Sequence, residues 1–299
     1  MSQLVVTSGQ RFTDIDALAC VAAYMEIPVE RPIAVIPGPL NLSVTNRIKE
    51  WKFDYLTYLD SDDYDYVVVD VSETEQFAHY VKIDRVVEIY DHHFGFEKYW
   101  QEKLGDKAKI EAVGACATLI WEEFKKRNPE KKISSLSANL LYTAINSNTL
   151  NFRSSVTTER DKKAFEEIKP FTDLPDSWVS KYYLEIESQI HINPSEAIIN
   201  DTKIQNIRGM KCAIGQLELW NSRHFLEVYA TLISATLRDF GTELWFFNSP
   251  CISEGRNYIF TKNKTVKDLL SGVMDIRFEG NIGITSKLWL RKEILKMIQ

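Results

Sequence analysis

Cysteine, histidine and long apolar runs are all scarce in this 299-residue chain, and each scarcity removes a class of protein. The four cysteines, Cys20, Cys116, Cys212 and Cys251, are widely spaced and form no C-x-x-C pair. They read as buried structural thiols, which excludes a disulfide framework and a cysteine-rich zinc site. No apolar stretch approaches the roughly 20 residues that span a bilayer. The N-terminus runs from Met1 into Leu4-Val-Val without the basic and apolar regions of a signal peptide, so a cytoplasmic protein with no membrane partner is expected. Neither sign of charge dominates: 36 basic residues face 42 acidic ones, for a net charge of -6. That balance argues against binding a nucleic acid polymer through counterion release, though not against a small anion in a local basic cleft. Internal repeats and low-complexity tracts are also absent.

What is present is a globular composition, 44% apolar and 26% charged, on a chain long enough for two domains with their own cores. Short apolar runs at Leu4 to Thr7, Ile33 to Ile36, Tyr66 to Asp70 and Arg85 to Tyr90 are apolar on both parities, as strands covered on both faces are. Helical patterns alternate with them at Asp16 to Tyr24, Val44 to Trp51 and Ala115 to Arg127. The order predicts a doubly wound α/β domain with a mainly parallel sheet. Helices dominate from about Ser135 to His191. A new set then begins with Lys211 to Leu219, a helix from Ser222 to Phe240 and a strand from Glu243 to Asn248. The chain is therefore expected to divide into residues 1–191 and a smaller α/β domain, 192–299.

The triplet Asp91-His92-His93 closes the last apolar run and should sit at the carboxyl end of a strand, where open α/β sheets bind ligands. A carboxylate and two imidazoles on successive residues are costly in an interior unless a metal ion or charged ligand compensates; an ordinary polar turn is the competing explanation. Asp14 and Asp16 follow the first strand, where Asp16 could be a helix N-cap, and Asp70 ends its own strand as Asp91 does. Three termini of one sheet thus carry carboxylates or imidazoles. Hard oxygen ligands with one or two imidazoles suit manganese or magnesium. A shared carboxylate suggests two ions, which in such sites lie roughly 3.5 to 4 Å apart. His79 and His191 have no acidic partner in register, His224 beside Arg223 at a helix start reads as a surface residue, and the tryptophans fit core patterns.

As an ordered set the motifs resemble the DHH phosphoesterase superfamily, in the branch with a DHHA2 C-terminal domain that holds family II inorganic pyrophosphatases and exopolyphosphatase/prune proteins. They are Gly9-x-x-x-x-Asp14-x-Asp16-Ala17, Val67-Val-Val-Asp70, Asp91-His92-His93, Val113-Gly-Ala-Cys-Ala-Thr118 and Asn148-Thr-Leu-Asn-Phe-Arg-Ser-Ser-Val-Thr-Thr158. Asp201-Thr-Lys203 and Thr285-Ser286-Lys287 are weaker matches to the branch's phosphate-binding segments.

The resemblance implies a metal-dependent phosphohydrolase cleaving a phosphoanhydride or related bond of a small polyanion, such as pyrophosphate, polyphosphate or a nucleotide polyphosphate, by attack of a metal-activated hydroxide. It implies one or two Mn2+ or Mg2+ ions, with Asp14 and Asp70 on one and Asp16, Asp70 and His92 on the other. Gln10 and Asn148 complete the ligand positions. His93, backed by Asp91, would be the catalytic acid, and Lys203, Ser286 and Lys287 would bind the terminal phosphates from the second domain, with the active site in the cleft between the two.

Three departures qualify that expectation. Gln10 stands where the pyrophosphatases have a histidine, Asn148 where they have an aspartate, and Leu288 where they have a second basic residue. Arg291 and Lys292, one turn further on, are either substitutes for that base or a solvated helix end. Neutral amides are weaker ligands, so the alternative expectation is a nearly inactive anion-binding protein with eroded metal sites. A nuclease of the DHHA1 type is disfavoured, because its Gly-Gly motif has no counterpart here.

Overall fold

The computed structural model describes residues 3–29, 31–60 and 63–298. In chain order the first elements are β1 (Leu4–Thr7), α1 (Ile15–Tyr24), β2 (Ile33–Val35), α2 (Asn46–Lys49), β3 (Asp65–Val69), β4 (Val86–Asp91), α3 (Glu97–Leu104), β5 (Ala108–Ile110), α4 (Cys116–Arg127), α5 (Ser135–Asn148) and α6 (Glu159–Ile168). They are followed by α7 (Trp178–Ile192), α8 (Pro194–Asn200), β6 (Thr202–Ile207), β7 (Met210–Gln216), α9 (Ser222–Arg238), β8 (Leu244–Cys251), β9 (Arg256–Phe260), α10 (Lys264–Ser271), β10 (Ile276–Glu279), β11 (Ile282–Thr285) and α11 (Arg291–Ile298).

Two compact units result, the first made of Met1–Phe152 and Val156–Val179, the second of Arg153–Ser155 and Ser180–Gln299. The division falls at the start of α7, not at residue 192. The reason lies in packing: Ile186 and Ile190 of that helix join a core with Phe225, Leu226 and Phe247 of the second unit.

The first unit is the expected α/β sheet, ordered β2-β1-β3-β4-β5 and parallel in every pairing. One face carries α1, which packs against α4 and α5. All ten residues of α1 are buried, and its alanines, at 17, 19, 22 and 23, keep it slim enough to lie between sheet and helices. On the other face Val5, Val68 and Ile89 pack with Phe77 and Trp100. The Trp100 indole reaches Ser72 O at 2.7 Å, so this large buried ring leaves no unpaired donor.

After β1 the chain moves to one side of the sheet for β2, then crosses back to place β3 on β1's other flank. The carboxyl ends of β1 and β3 therefore form the topological switch point, where such sheets open a crevice for ligands.

In the second unit six strands are ordered β10-β11-β9-β8-β7-β6; only β7 and β8 are parallel. Phe225, Leu226 and Leu237 of α9 cover one face. Val266 and Leu270 of α10, with Ile294 and Ile298 of α11, cover the other. Among the described residues no helix is long and apolar enough to cross a membrane.

Candidate metal centre

The first loop sets one wall of the site. Asp14, not Asp16, is the N-cap of α1: its Oδ1 accepts from Asp16 N at 3.0 Å and Ala17 N at 2.9 Å. Asp16 lies one step inside the helix and is fully buried. Its two carboxylate oxygens accept from Cys116 N and Ala117 N, each at 2.8 Å, at the start of α4. The positive end of that helix faces the Asp16 carboxylate. Burial and the nearby Asp14 charge push the Asp16 carboxyl up to about 7.

Asp70 leaves the end of β3 with φ 60°, in the left-handed region that Asp tolerates better than most side chains. Its backbone N-H donates to Tyr90 O at 2.8 Å, which holds the turn against β4. Its Oδ1 is buried with no hydrogen-bond partner. Burial, then the charges of Asp16 and Asp14, raise this carboxyl well above its ordinary range.

The triplet at the end of β4 divides its two imidazoles. His92 Nδ1 lies 3.2 Å from Val113 O. A carbonyl can only accept, so Nδ1 carries the proton and Nε2 presents its lone pair. That atom is 3.5 Å from Asp70 Oδ1 and 3.7 Å from Asp16 Oδ2. Burial, then the nearby His93 charge, lowers the His92 pKa, which keeps the ring in the neutral form that a metal needs.

Asp91 is buried, and its Oδ1 accepts from His92 N, His93 N and His93 Nδ1 at 2.8, 3.1 and 2.9 Å. Burial works to raise the Asp91 carboxyl, but the His93 hydrogen bond and charge outweigh it and the net shift is downward. The same bond raises His93, whose side chain is 66% exposed. Asp91 thus fixes the His93 tautomer and stabilises its protonated ring.

Asp70, His92 and His93 offer ligand atoms all within 4.8 Å of one another. Asp70 and His93 border a cleft of about 270 Å³ that Asp14 and Asp91 also line. The donors fit a divalent ion: buried carboxylates with raised pKa values, a neutral imidazole nitrogen aimed at two of them, and an unpartnered Asp70 oxygen.

Other expected residues lie elsewhere. Gln10 is exposed, held through its backbone N-H to Gln76 O at 2.8 Å, and does not line the cleft although Ser8, Gly9 and Arg11 do. Asn148 ends α5 with Nδ2 3.4 Å from Ala144 O of its own helix, and it too is absent from the cleft lining. In the second unit Lys203, Ser286 and Lys287 are exposed, and Lys287 Nζ sits 4.1 Å above the Trp289 ring. Arg291 is not a solvated helix end. Only 9% exposed, it bonds Asp201 Oδ1 at 2.7 Å and Ile214 O at 3.1 Å, clamping the segment that leads into Lys203.

Two supporting roles escaped the sequence reading, those of Val113 and Asp161. Val113 sets the His92 tautomer through a backbone carbonyl, which no side-chain pattern reveals. Asp161 accepts from Gly114 N, Thr118 Oγ1, Thr158 N and Thr158 Oγ1, so it fixes the loop that feeds α4. The spacing of Thr158 and Asp161 is that of a capping box and was readable as one.

A parallel sheet whose switch point gathers Asp14, Asp16, Asp70 and Asp-His-His defines an α/β protein with a carboxylate and imidazole metal centre. The relatives narrow this further. No family model matches the chain. It is 24% identical to the probable manganese-dependent inorganic pyrophosphatase of Clostridium acetobutylicum over 98% of this chain and 96% of that one. The protein of the same description from Staphylococcus carnosus is 26% identical over 78% of this chain and 76% of its own. Among solved structures, a Methanococcus jannaschii protein assigned to the family II inorganic pyrophosphatases shares the fold with TM-score 0.60 and 21% identity, over 98% of this chain and 97% of that one. An exopolyphosphatase-related protein from Bacteroides fragilis gives TM-score 0.50 at 12% identity, over 99% and 90% of the two chains. The resemblance to the DHH phosphoesterase superfamily, in its pyrophosphatase and exopolyphosphatase branch, is borne out by these relatives and folds.

Proposed function

We propose that this chain is a divalent-metal-dependent phosphohydrolase acting on a phosphoanhydride or related bond of a small phosphate-containing polyanion. The observation that carries the reading is the convergence of His92 Nε2 on Asp70 Oδ1 and Asp16 Oδ2, with Asp70 Oδ1 buried and unpartnered. The printed names of the relatives, manganese-dependent inorganic pyrophosphatases, support the same reaction class.

Asp70, Asp16 and His92 would hold manganese or magnesium, with Asp14 beside them. Bound there, such an ion supplies Lewis-acid activation of water and neutralises phosphoryl charge. The remaining work falls to the chain itself. Asp91 holds His93 with Nδ1 protonated, and Nε2, exposed to the cleft, delivers its proton to the departing phosphate. Lys203 and Lys287, with Ser286 as a hydrogen-bond donor, are the proposed partners of the terminal phosphates.

A second reading, an anion-binding protein with eroded metal sites, draws on the exposure of Gln10 and the turn of the Asn148 amide toward its own helix. Phosphate release from pyrophosphate and short polyphosphates, with manganese or magnesium, separates the two. Turnover that falls at least a hundredfold in Asp70→Ala and in His93→Ala is expected, in line with the loss of a metal ligand or a general acid. Undetectable turnover on every substrate, or turnover indifferent to both changes, rejects the hydrolase.

A further inference from the structure

The cleft at the ends of β1, β3 and β4 is not wholly polar. Phe12 is 50% exposed and Phe94 is 69% exposed, and both line it beside Asp14, Asp70 and His93. Single exposed apolar side chains are normal on any surface; two rings on the rim of one reactive cleft are not scattered exposure. Neither ring stacks on another aromatic among the described residues, whereas the nearby Phe96 packs into the sheet core.

Both rings project from backbone that is pinned. Beside Phe12, Thr13 N donates to Pro39 O at 2.9 Å and Thr13 Oγ1 to Gly38 O at 3.3 Å. A Cβ at Gly38 would come within 2.8 Å of the Phe12 carbonyl carbon, so the loops touch with no room for a side chain. Phe94 follows His93, whose N-H is bonded to Asp91, and precedes Gly95, whose N-H donates to Glu97 Oε2 at 2.9 Å. Arg11, the residue before Phe12, is exposed in the same cleft and has no ion-pair partner among the described residues. Inorganic pyrophosphate offers phosphoryl oxygens for Arg11 and the metal ligands, but nothing to cover a phenyl face. A ligand with phosphates at one end and a flat aromatic base at the other meets all three features.

Resting on the phosphohydrolase reading of this cleft, we propose that its preferred ligand is a nucleoside polyphosphate. The base stacks on Phe94 and Phe12, Arg11 binds a phosphate, and the terminal phosphates lie toward Asp70 and His93.

The test measures binding by isothermal titration calorimetry to the full chain in manganese buffer. Its two probes do not turn over: methylenediphosphonate, and the α,β-methylene analogue of adenosine diphosphate. The nucleotide analogue should bind at least about 5-fold more tightly, and Phe94→Ala should weaken it by about 5- to 100-fold, the range for losing one base and ring stack. Phe94→Trp should restore it, and methylenediphosphonate should move less than twofold in either variant. Equal affinity for the two probes, no measurable nucleotide binding, or a nucleotide affinity indifferent to Phe94→Ala overturns the proposal. Phosphate release from pyrophosphate, short polyphosphates and adenosine di- and triphosphate, run in parallel, judges the hydrolase separately: turnover without nucleotide preference in binding rejects only the stacking site, and nucleotide preference in binding without turnover of any of them rejects only the hydrolase.

Discussion

Asp161 gives the sharpest test of how the metal centre is supported. It is fully buried, touches none of the proposed ligands, and holds the Gly114 to Thr118 loop from behind. Three donors converge on its Oδ2: Gly114 N at 2.8 Å, with Thr158 N and Thr158 Oγ1 at 2.7 Å each. Thr118 Oγ1 donates to Oδ1 at 2.6 Å. In Asp161→Ala the Gly114 N-H and Thr118 hydroxyl stay buried without their acceptor, at about 1 to 3 kcal/mol each, and the lost capping box adds about 1 kcal/mol. The sum, about 3 to 7 kcal/mol, is a large part of a typical domain's stability. Asp161→Asn should be much milder. With its carbonyl oxygen toward the three donors and its amide toward the Thr118 hydroxyl, which can rotate to accept, only charge assistance is lost, about 1 to 2 kcal/mol. Urea unfolding followed by tryptophan fluorescence, which both units report, resolves this ordering as a shift in the first transition. If alanine costs less than about 1 kcal/mol, or costs no more than asparagine, the convergence of donors on Asp161 is not what holds the loop.

Four further outcomes are expected. Gly114→Ala places a Cβ 2.6 Å from Thr149 Cγ2 and 2.9 Å from Asp161 Oδ2, so thermal unfolding should show a loss of about 1 to 3 kcal/mol. Glu88 is raised by burial, but hydrogen bonds from Arg127, Tyr24 and Tyr90 win and its net shift is downward. Its stabilising contribution is therefore complete above the ordinary carboxylate range and fades as pH falls through the lower folded value, so the stability gap between wild type and Glu88→Gln should shrink below roughly pH 4. Asn257 exchanges two hydrogen bonds of 2.6 Å with the Trp289 backbone, so Asn257→Ala should speed amide hydrogen exchange around residues 285–291 while exchange in β1, β3 and β4 stays as it was. Manganese titration should show one tight site in the wild-type chain, and Gln10→His with Asn148→Asp should add a second; no change in stoichiometry or affinity would show that these positions do not reach the metals.

The first unit was legible because its central strands are buried on both faces. Val5-Val6, Val67-Val68-Val69 and Ile89-Tyr90 have no solvent-facing parity, and such runs signal a parallel sheet even in one sequence. The strands that went unread include the edge strands β5, β6 and β10, together with β9 and β11 inside the second sheet. β5 is three half-buried residues, Ala108-Lys-Ile, and β6 alternates weakly, with Lys203 and Ile204 both exposed. Edge strands take their stability from one neighbour, so their sequences carry little periodicity. The unit boundary was misplaced by one helix for a related reason. The pattern of α7 shows that Ile186 and Ile190 need a core but not which one, and the structure supplies the core of the second unit.

At the metal centre the chemistry-bearing side chains were legible and their orientations were not. Asp16, Asp70 and His92 announce themselves by type and by position at strand ends, yet the His92 tautomer depends on a carbonyl 21 residues away, at Val113. The same distinction shows why the two amide replacements carry less weight than their motif positions suggest. A lost ligand weakens a site only if the remaining donors still face one another across it. Here His92 Nε2 faces Asp70 and Asp16, while Gln10 is exposed and the Asn148 amide bonds its own helix. The donors that converge are those the sequence retains, and they are the ones proposed to hold one ion. A second ion would have to rely on Asp14 and Asp70, and Asp14 already spends one oxygen capping α1. Binding at the first position thus rests on groups already in place, whereas the second requires Gln10 and Asn148 to leave the hydrogen bonds and solvent they now have, which orders the two affinities.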